Sequence, residues 1–270
     1  MHKSIIAWLA VLLLCGGCAK RDAQRLTLTG SSTIAPLAQA LASQFEQLHP
    51  GVKVDVQAGG SSRGVADARS GLAQIGMVSR ALRADESDLS AFTIARDGIA
   101  IIVQRDNPVR QLSRAQIIGL YTGQLRDWSA VGGGAHAVTV VNKAEGRSTL
   151  ELFLHHFDLK ASAIRADVVI GENQQGIKTV AGNAGAIGYV SIGTAEYEAA
   201  HGGAIKLLPM DGVVASTPSV RDGSFPLARP LNLVTRPQPT GLSKQFIDFA
   251  MSRAAHDAIV KEYFVPIAGN

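Results

Sequence analysis

Cysteine is almost absent from the chain, and both cysteines lie near its beginning. Of 270 residues only Cys15 and Cys18 carry a thiol. Beyond residue 18 the chain can therefore form no disulfide and offers no thiol nucleophile. A domain without cross-links must be held together by its hydrophobic core, and about 250 residues suffice for one large domain or two lobes.

Charged and aromatic side chains are also scarce. Charged residues make up 18% of the chain and aromatic residues 5%, with a net charge of +4. Because no lysine and arginine block occurs and few rings are available for base stacking, we expect no nucleic-acid partner. The nucleotide-binding pattern G-x-x-x-x-G-K-S/T is missing. His155 and His156 are adjacent and lack partners at metal-ligand spacing, so we expect neither a metal nor another cofactor.

The first residues have the pattern of an export signal. Lys3 precedes an apolar run over residues 5–14, which is shorter than the roughly 20 residues that span a membrane. Small residues directly before Cys18 resemble the cleavage motif of bacterial lipoproteins. We therefore expect residues 1–17 to be a signal peptide and Cys18 to carry a lipid, with the protein in the periplasm or cell envelope. Ordinary signal cleavage near Ala19 is the alternative.

Apolar periodicity predicts an α/β fold. The first block reads as strands at 26–30, 52–56 and 73–79 with helices at 34–48 and 65–72. This β-α-β-α-β order favours a mostly parallel sheet with helices on its faces.

A second block begins near Gly98. Its predicted strands are 98–104, 137–142, 185–193 and 230–235, and its predicted helices are 114–120, 148–157, 242–251 and 254–263. Residues 213–230, rich in proline, serine and glycine, are predicted to be a long exposed connection. Both blocks repeat a strand, a polar turn and a helix, which suggests two α/β lobes.

Three polar turns precede predicted helices. They are "TGSST" at 29–33, "GGSSRG" at 59–64 and "KAEGRST" at 143–149. The first N–H groups of a helix lack intrahelical partners and carry the positive end of its dipole, so such turns favour anions. Ligands of open α/β sheets bind beyond the carboxyl ends of the strands. The turns therefore predict an anion-binding cleft, unless their serines and threonines only cap the helices.

One of these turns also fits a hydrolase motif. The segment "GSSRG" at 60–64 matches G-x-S-x-G, with Ser62 as the nucleophile. Hydrolases of that kind place several strands before the motif, whereas here one strand and one helix precede it. No aspartate and histidine pair accompanies His201 or His256. We expect a protein that is not an enzyme and keep a serine hydrolase using Ser62 as an alternative.

Several segments, in their order along the chain, resemble the phosphate-binding proteins of ABC transporters. They are "TLTGSSTIAPL", "HPGVKVDVQAGGSSRGV", "AQIGMVSRAL", "DGIAIIVQRDNP", "YTGQLRDW", "TVVNKAEGRST" and "GNAGAIGYVSIG". The resemblance implies a type II periplasmic-binding-protein fold, in which two α/β lobes joined by two hinge strands close on a ligand. The bounds it implies are 18–25 for a linker, 26–97 for lobe I, 98–224 for lobe II, and 225–270 for the return strand and C-terminal helices of lobe I.

The resemblance also implies a ligand and the residues that bind it. The matching positions are Ser32, Thr33, Ser61, Ser79, Arg80, Lys143, Arg147, Ser148 and Thr149. The implied ligand is inorganic phosphate, the implied partner is an ABC permease, and the protein is expected to be a monomer. Hinge strands near 98–103 and 230–234 would let the lobes close.

Some positions depart from the family pattern. Lys143 stands where an arginine is usual, and Arg147 and Ser148 stand where serine and glycine are usual. Ser79 and Arg80 occupy the place where many members hold an aspartate that accepts the proton of phosphate. An unpaired acceptor in such a site discriminates strongly against a fully deprotonated anion, so its loss affects selectivity.

These departures leave two questions open. Glu145 would either replace the missing acceptor or pair with Arg147 or Lys143. Arg147 would either bind the ligand or fill its seat. A binding protein or sensor for another oxyanion, such as a sulfate-like anion or an organophosphate, without a transport role, is therefore the alternative function.

Overall fold

The computed structural model describes residues 24–236 and 238–267. The predicted signal peptide at 1–17, Cys18 and most of the linker at 18–25 lie outside the described residues, so what we expect of them stays a prediction. Within the described part, no helix combines the length and the apolar character that crossing a membrane would need.

Strands and helices alternate along the described residues. The strands are β1 Gln24–Gly30, β2 Val52–Ala58, β3 Ile75–Val78, β4 Ser90–Gln104, β5 Thr139–Lys143, β6 Val168–Ile170, β7 Ala186–Ser191, β8 Ile205–Leu208, β9 Ala228–Thr235 and β10 Val265–Pro266. The α-helices are α1 Ala35–Leu48, α2 Ser61–Ser70, α3 Arg114–Tyr121, α4 Ser148–Phe157, α5 Asn173–Ala181, α6 Ile192–Ala200, α7 Thr217–Arg221, α8 Gly241–Met251 and α9 His256–Lys261. The α/β class is confirmed.

The described strands form one sheet in the order β2-β1-β3-β9-β4-β7-β5-β6, and β8 and β10 also pair with β4. β1 pairs in parallel with β2 and β3, and β5 pairs in parallel with β6 and β7. β9 runs antiparallel between β3 and β4. We call the half with β1, β2 and β3 the first lobe and the half with β5, β6 and β7 the second lobe.

β4 belongs to both lobes. Its residues 90–98 pair with β9, and its residues 99–103, all fully buried, pair with β7. This change of partner falls at the start of the predicted hinge at 98–103. The second connection between the lobes lies earlier in the chain than the hinge predicted at 230–234, because all of β9 is paired within the first lobe. Just before β9, the carbonyl of Leu227 accepts from the N–H of Ile99 at 3.1 Å.

Each lobe has its own hydrophobic core. In the first lobe, α1 and α8 pack on the sheet through fully buried side chains such as Leu41, Phe45 and Phe246. In the second lobe, Phe153 of α4 stacks on Tyr189 of β7 with ring centroids 4.0 Å apart. Two cores joined by β4 and by the segment that precedes β9 give the physical basis for two lobes.

Some elements differ from the prediction. Residues 213–230 are not an exposed connection: they contain α7, and Val220, Phe225 and Leu227 are buried. The sequence pattern did not predict this, because these apolar side chains stand singly among polar and glycine residues. The predicted helix at 254–263 is shorter, since a 3-10 turn at Arg253–Ala255 precedes α9. β6, α5, α6, β8 and β10 were not predicted, and none of them is longer than 9 residues.

Candidate anion-binding site

A cluster of buried hydroxyl groups lies where the two lobes meet. Ser31 Oγ donates to Ser79 Oγ at 2.8 Å, and Ser61 Oγ donates to Ser148 Oγ at 3.1 Å. Ser79 and Ser148 share a hydrogen bond of 2.7 Å, and the N–H of Ser79 donates to Ser61 Oγ at 3.1 Å. Each of these residues is at most 3% exposed. Ser148 comes from the second lobe and the others from the first, so this serine cluster joins the lobes.

A close contact between two glycines sets the position of α2. Gly30 ends β1 with a φ of +131°, and Gly64 lies in the first turns of α2. A Cβ on Gly30 would stand 2.9 Å from Gly64 Cα and 2.4 Å from the Met77 carbonyl oxygen, so only glycine fits there. The contact brings Ser61, the first residue of α2, next to Ser79, which follows β3.

Two helix N-termini meet at the serine cluster. Ser61 and Ser148 are the first residues of α2 and α4, and neither of the preceding residues, Gly60 and Arg147, provides a side-chain cap. The N–H groups of an uncapped first turn lack intrahelical partners and lie at the positive end of the helix dipole. In α2 one of them, the N–H of Ser62, donates to the Gly146 carbonyl oxygen of the second lobe at 3.2 Å. The arrangement offers hydrogen-bond donors and partial positive charge, which suits an anion.

Lys143 adds a buried amine. It ends β5, is 2% exposed, and donates from Nζ to Asn173 Oδ1 at 2.8 Å. Burial, and after it the neighbouring charge of Arg229, lowers the pKa of Lys143 from 10.5 to about 7. The amine is therefore close to half protonated at neutral pH, and an anion bound beside it would favour the charged form.

Besides Ser31 of the serine cluster, three buried polar residues of the site were not predicted. Asn173 begins α5 and donates from Nδ2 to Thr33 Oγ1 at 3.3 Å. Arg229 of β9 donates to Thr33 Oγ1 at 3.1 Å and to Thr149 Oγ1 at 3.0 Å, and it pairs with Asp97 at 2.8 Å. One signal could have found the pair: charged residues are rarely buried unpaired, and both Arg229 and Asp97 adjoin apolar strand segments.

The first polar turn contributes Ser31, not the predicted Ser32, to the serine cluster. Ser31 Oγ accepts from the N–H groups of Thr33 at 3.2 Å and Ile34 at 3.4 Å, which holds this hydroxyl inside the turn. Ser32 is only half-buried, whereas Thr33 is 2% exposed. The predicted Thr33, Ser61, Ser79, Lys143, Ser148 and Thr149 all lie in this buried region between the lobes.

Arg80 adjoins the serine cluster in sequence, but its guanidinium faces carboxylates. Its Nη1 and Nη2 donate to the two oxygens of Glu86 at 2.7 and 2.8 Å, and its Nε lies 2.8 Å from Glu151 Oε2 of the second lobe. Burial raises the pKa of Glu86, but hydrogen bonds from Arg80 and from the N–H of Arg83 outweigh it and lower the pKa to about 2. Arg80 therefore forms an ion pair between the lobes in this arrangement.

Arg147 is likewise engaged by a carboxylate. Its Nη1 lies 3.0 Å from Glu172 Oε1, and its side chain runs past Gly60. Glu145 is exposed and takes part in no ion pair within the described residues. Both expectations for Glu145 are therefore wrong: it pairs with neither Arg147 nor Lys143, and a solvent-exposed carboxylate does not replace a buried acceptor.

The hydrolase alternative lacks the required geometry. Ser62 is the second residue of α2, and its Oγ donates to Glu151 Oε1 at 3.3 Å. A serine nucleophile needs a histidine base at that distance. A carboxylate without a histidine leaves the hydroxyl of Ser62 at its ordinary, weak nucleophilicity.

A buried set of donors shared by two α/β lobes defines a solute-binding protein. The chain belongs to the PBP superfamily, since the model of the PBP superfamily domain matches residues 19–254.

Relatives and solved structures extend this likeness. The phosphate-binding protein PstS of Bacillus subtilis is 27% identical over 247 residues, which cover 90% of this chain and 80% of that protein. An X-ray structure from Clostridium perfringens, assigned as a phosphate ABC transporter substrate-binding protein and solved with bound phosphate, is 30% identical and covers 90% of this chain and 100% of that one, with a TM-score of 0.83. An ABC-type phosphate transport receptor from Vibrio cholerae is 29% identical with the same coverage and a TM-score of 0.74.

Proposed function

We propose that this chain is an exported solute-binding protein that captures inorganic phosphate between its lobes and delivers it to an ABC permease. The observation that carries the proposal is the buried cluster of hydroxyl and N–H donors from both lobes, with Lys143 beside it. Donors without a competing free carboxylate suit an oxyanion, which offers only acceptors when fully deprotonated. The names of the relatives support phosphate as that oxyanion.

The residues proposed to bind phosphate are those whose hydrogen-bond donors lie in the buried region between the lobes. They are Thr33, Ser61, Ser79, Lys143, Ser148 and Thr149, with Ser31 in place of Ser32. Arg80 and Arg147 would lie near the anion without binding it directly, because each guanidinium is paired with a carboxylate. Charge would come from Lys143 and from the two uncapped helix starts.

Binding would require the lobes to part and close again. The serine cluster, Thr33 and Thr149 are buried, so an anion reaches them only when the contact between Ser79 and Ser148 opens. The proposed lobes are residues 26–97 with 225–270, and 98–224. Bending where β4 changes partner, beside Gly98, would allow this opening.

The setting of the protein is part of the proposal. The predicted signal peptide and the lipid at Cys18 would hold a monomer in the periplasm or cell envelope, near its permease. Two relatives named for ABC phosphate transport support a transport role over a sensor.

One observation favours a second candidate ligand. The carboxylate within this site, Asp97, accepts from Arg229 on Oδ2 and from the N–H of Gly193 on Oδ1 at 3.3 Å. It is not free to accept the proton of phosphate, so a fully deprotonated anion such as sulfate would not be rejected by an unpaired acceptor.

Calorimetric titration of the purified protein with phosphate, arsenate and sulfate tests both candidates. We expect one-site binding of phosphate and arsenate, with sulfate bound measurably and more weakly. If sulfate is the one anion of the three that binds, the ligand is a sulfate-like anion and not phosphate. No heat with any of the three at millimolar concentration would reject the proposed function.

A further inference from the structure

Arg229 occupies an unusual position between the two lobes. It lies in β9 directly opposite Asp97 in β4, two residues before Ile99, where β4 begins to pair with β7. The side chains of the pair are 0% and 1% exposed. Nε and Nη2 of Arg229 both donate to Asp97 Oδ2, at 3.1 and 2.8 Å, so the guanidinium is held from one side and its charge is balanced.

The other side of the guanidinium reaches both lobes at once. Nη2 donates to Thr33 Oγ1, which precedes α1 in the first lobe, and Nη1 donates to Thr149 Oγ1 in the first turn of α4 in the second lobe. The two threonines lie in different lobes, and no single neighbour other than Arg229 donates to both within the described residues. Arg229 therefore bridges the halves of the site.

These contacts determine whether the two threonine hydroxyls can still accept or donate a hydrogen bond. Arginine has donors and no acceptor, and a hydroxyl has one hydrogen and two acceptor positions. Thr33 Oγ1 accepts from Arg229 and from Asn173, at 3.1 and 3.3 Å, so both of its acceptor positions are taken. The Thr33 hydroxyl can then make a further hydrogen bond only as a donor. At Thr149 the bond from Arg229 takes one acceptor position and directs the hydroxyl hydrogen away from the guanidinium.

We infer that Arg229 is a positioning residue of the anion site, which fixes the hydroxyls of Thr33 and Thr149 as donors toward the anion and couples the two lobes through them. The inference rests on the proposed function. Asp97 pairs with the charge of Arg229, and a lysine at position 229 would keep that charge without the planar fork that serves three partners.

A serine and valine pair at position 149 tests this role. Thr149→Ser keeps the hydroxyl and Thr149→Val replaces it by a methyl group of similar size. With Arg229 present, we expect phosphate to bind about tenfold more weakly to the valine variant than to the serine variant. With Arg229→Lys, the hydroxyl loses its fixed direction, so the same comparison should give less than about threefold.

The outcomes separate the inference from the function on which it rests. If wild-type protein binds phosphate and the ratio between Thr149→Val and Thr149→Ser is the same in both backgrounds, Arg229 is merely structural and the inference is overturned. If wild-type protein binds none of phosphate, arsenate and sulfate, the proposed function fails, and the inference fails with it. Should Arg229→Lys not fold, Arg229→Gln takes its place in the same comparison, with circular dichroism as the check on folding.

Discussion

Raising the pH should stabilise the ligand-free protein, because the amine of Lys143 is buried. The pKa of Lys143 is lowered from 10.5 to about 7 in the folded chain, chiefly by burial. Below pH 7 the amine is protonated in both folded and unfolded chains, and folding bears the full cost of burying a charge. Between pH 7 and 10.5 the unfolded chain binds a proton that the folded chain does not, so the free energy of unfolding increases with pH.

The size of the effect follows from this difference in pKa. Each pH unit within the window contributes about 1.4 kcal/mol. Between pH 7 and pH 9 the contribution is about 2 kcal/mol, since the folded amine is only half deprotonated at the lower limit. Lys143→Met removes the group and with it this part of the pH dependence.

Urea unfolding in phosphate-free buffer measures the effect directly. The wild type should gain about 2 kcal/mol of unfolding free energy relative to Lys143→Met between pH 7 and pH 9. The comparison with the variant cancels groups that titrate elsewhere in the chain. Parallel pH profiles for the two proteins would show instead that Lys143 keeps an ordinary pKa in the folded chain despite its burial.

Three further predictions concern closure and packing. Gly60→Ala should weaken phosphate binding about tenfold, because a Cβ there would stand 2.7 Å from the Gly146 carbonyl oxygen of the other lobe; titration calorimetry measures it. Glu151→Gln should speed phosphate release about fivefold in stopped-flow experiments, because it breaks the ion pair with Arg80 at 2.8 Å. Thr235→Val should raise the unfolding free energy in urea by about 1 kcal/mol, because the hydroxyl is buried without a partner among the described residues.

Each of the three has a matched control. Gly51→Ala shares a positive φ, +89°, but meets no atom within 4 Å, so it should leave affinity unchanged. Asp248→Asn removes a carboxylate from a pair whose side chains are 59% exposed and should not alter release. Thr93→Val loses a hydroxyl that donates to Asn232 at 2.8 Å, so this variant should have a lower unfolding free energy in urea. Equal effects within any control pair would contradict the reasoning for that residue.

The regular elements followed well from sequence periodicity. The predicted helix at 148–157 has the bounds of α4, and the strand at 98–104 is the second part of β4. These segments have strong local patterns, since each apolar face is set by neighbours a few positions apart. The polar turns were also found locally, because glycine and hydroxyl residues directly precede their helices.

The part of the site built on Arg229 and Asp97 could not be found from such local patterns. Arg229 lies 132 positions from Asp97 and 196 from Thr33, so only the folded chain brings them together. The direction of a side chain is also invisible in a list of residues. Arg80 and Arg147 adjoin Ser79 and Ser148 in sequence and yet pair with Glu86 and Glu172, because a nearby carboxylate stabilises a guanidinium strongly.

We propose that the buried region between the lobes holds one phosphate. Equilibrium dialysis of the wild-type protein against radiolabelled phosphate, with unlabelled sulfate in excess, tests it most directly. We expect retention of one phosphate per chain, reduced and not abolished by the sulfate. Absence of retained phosphate even without sulfate would contradict it.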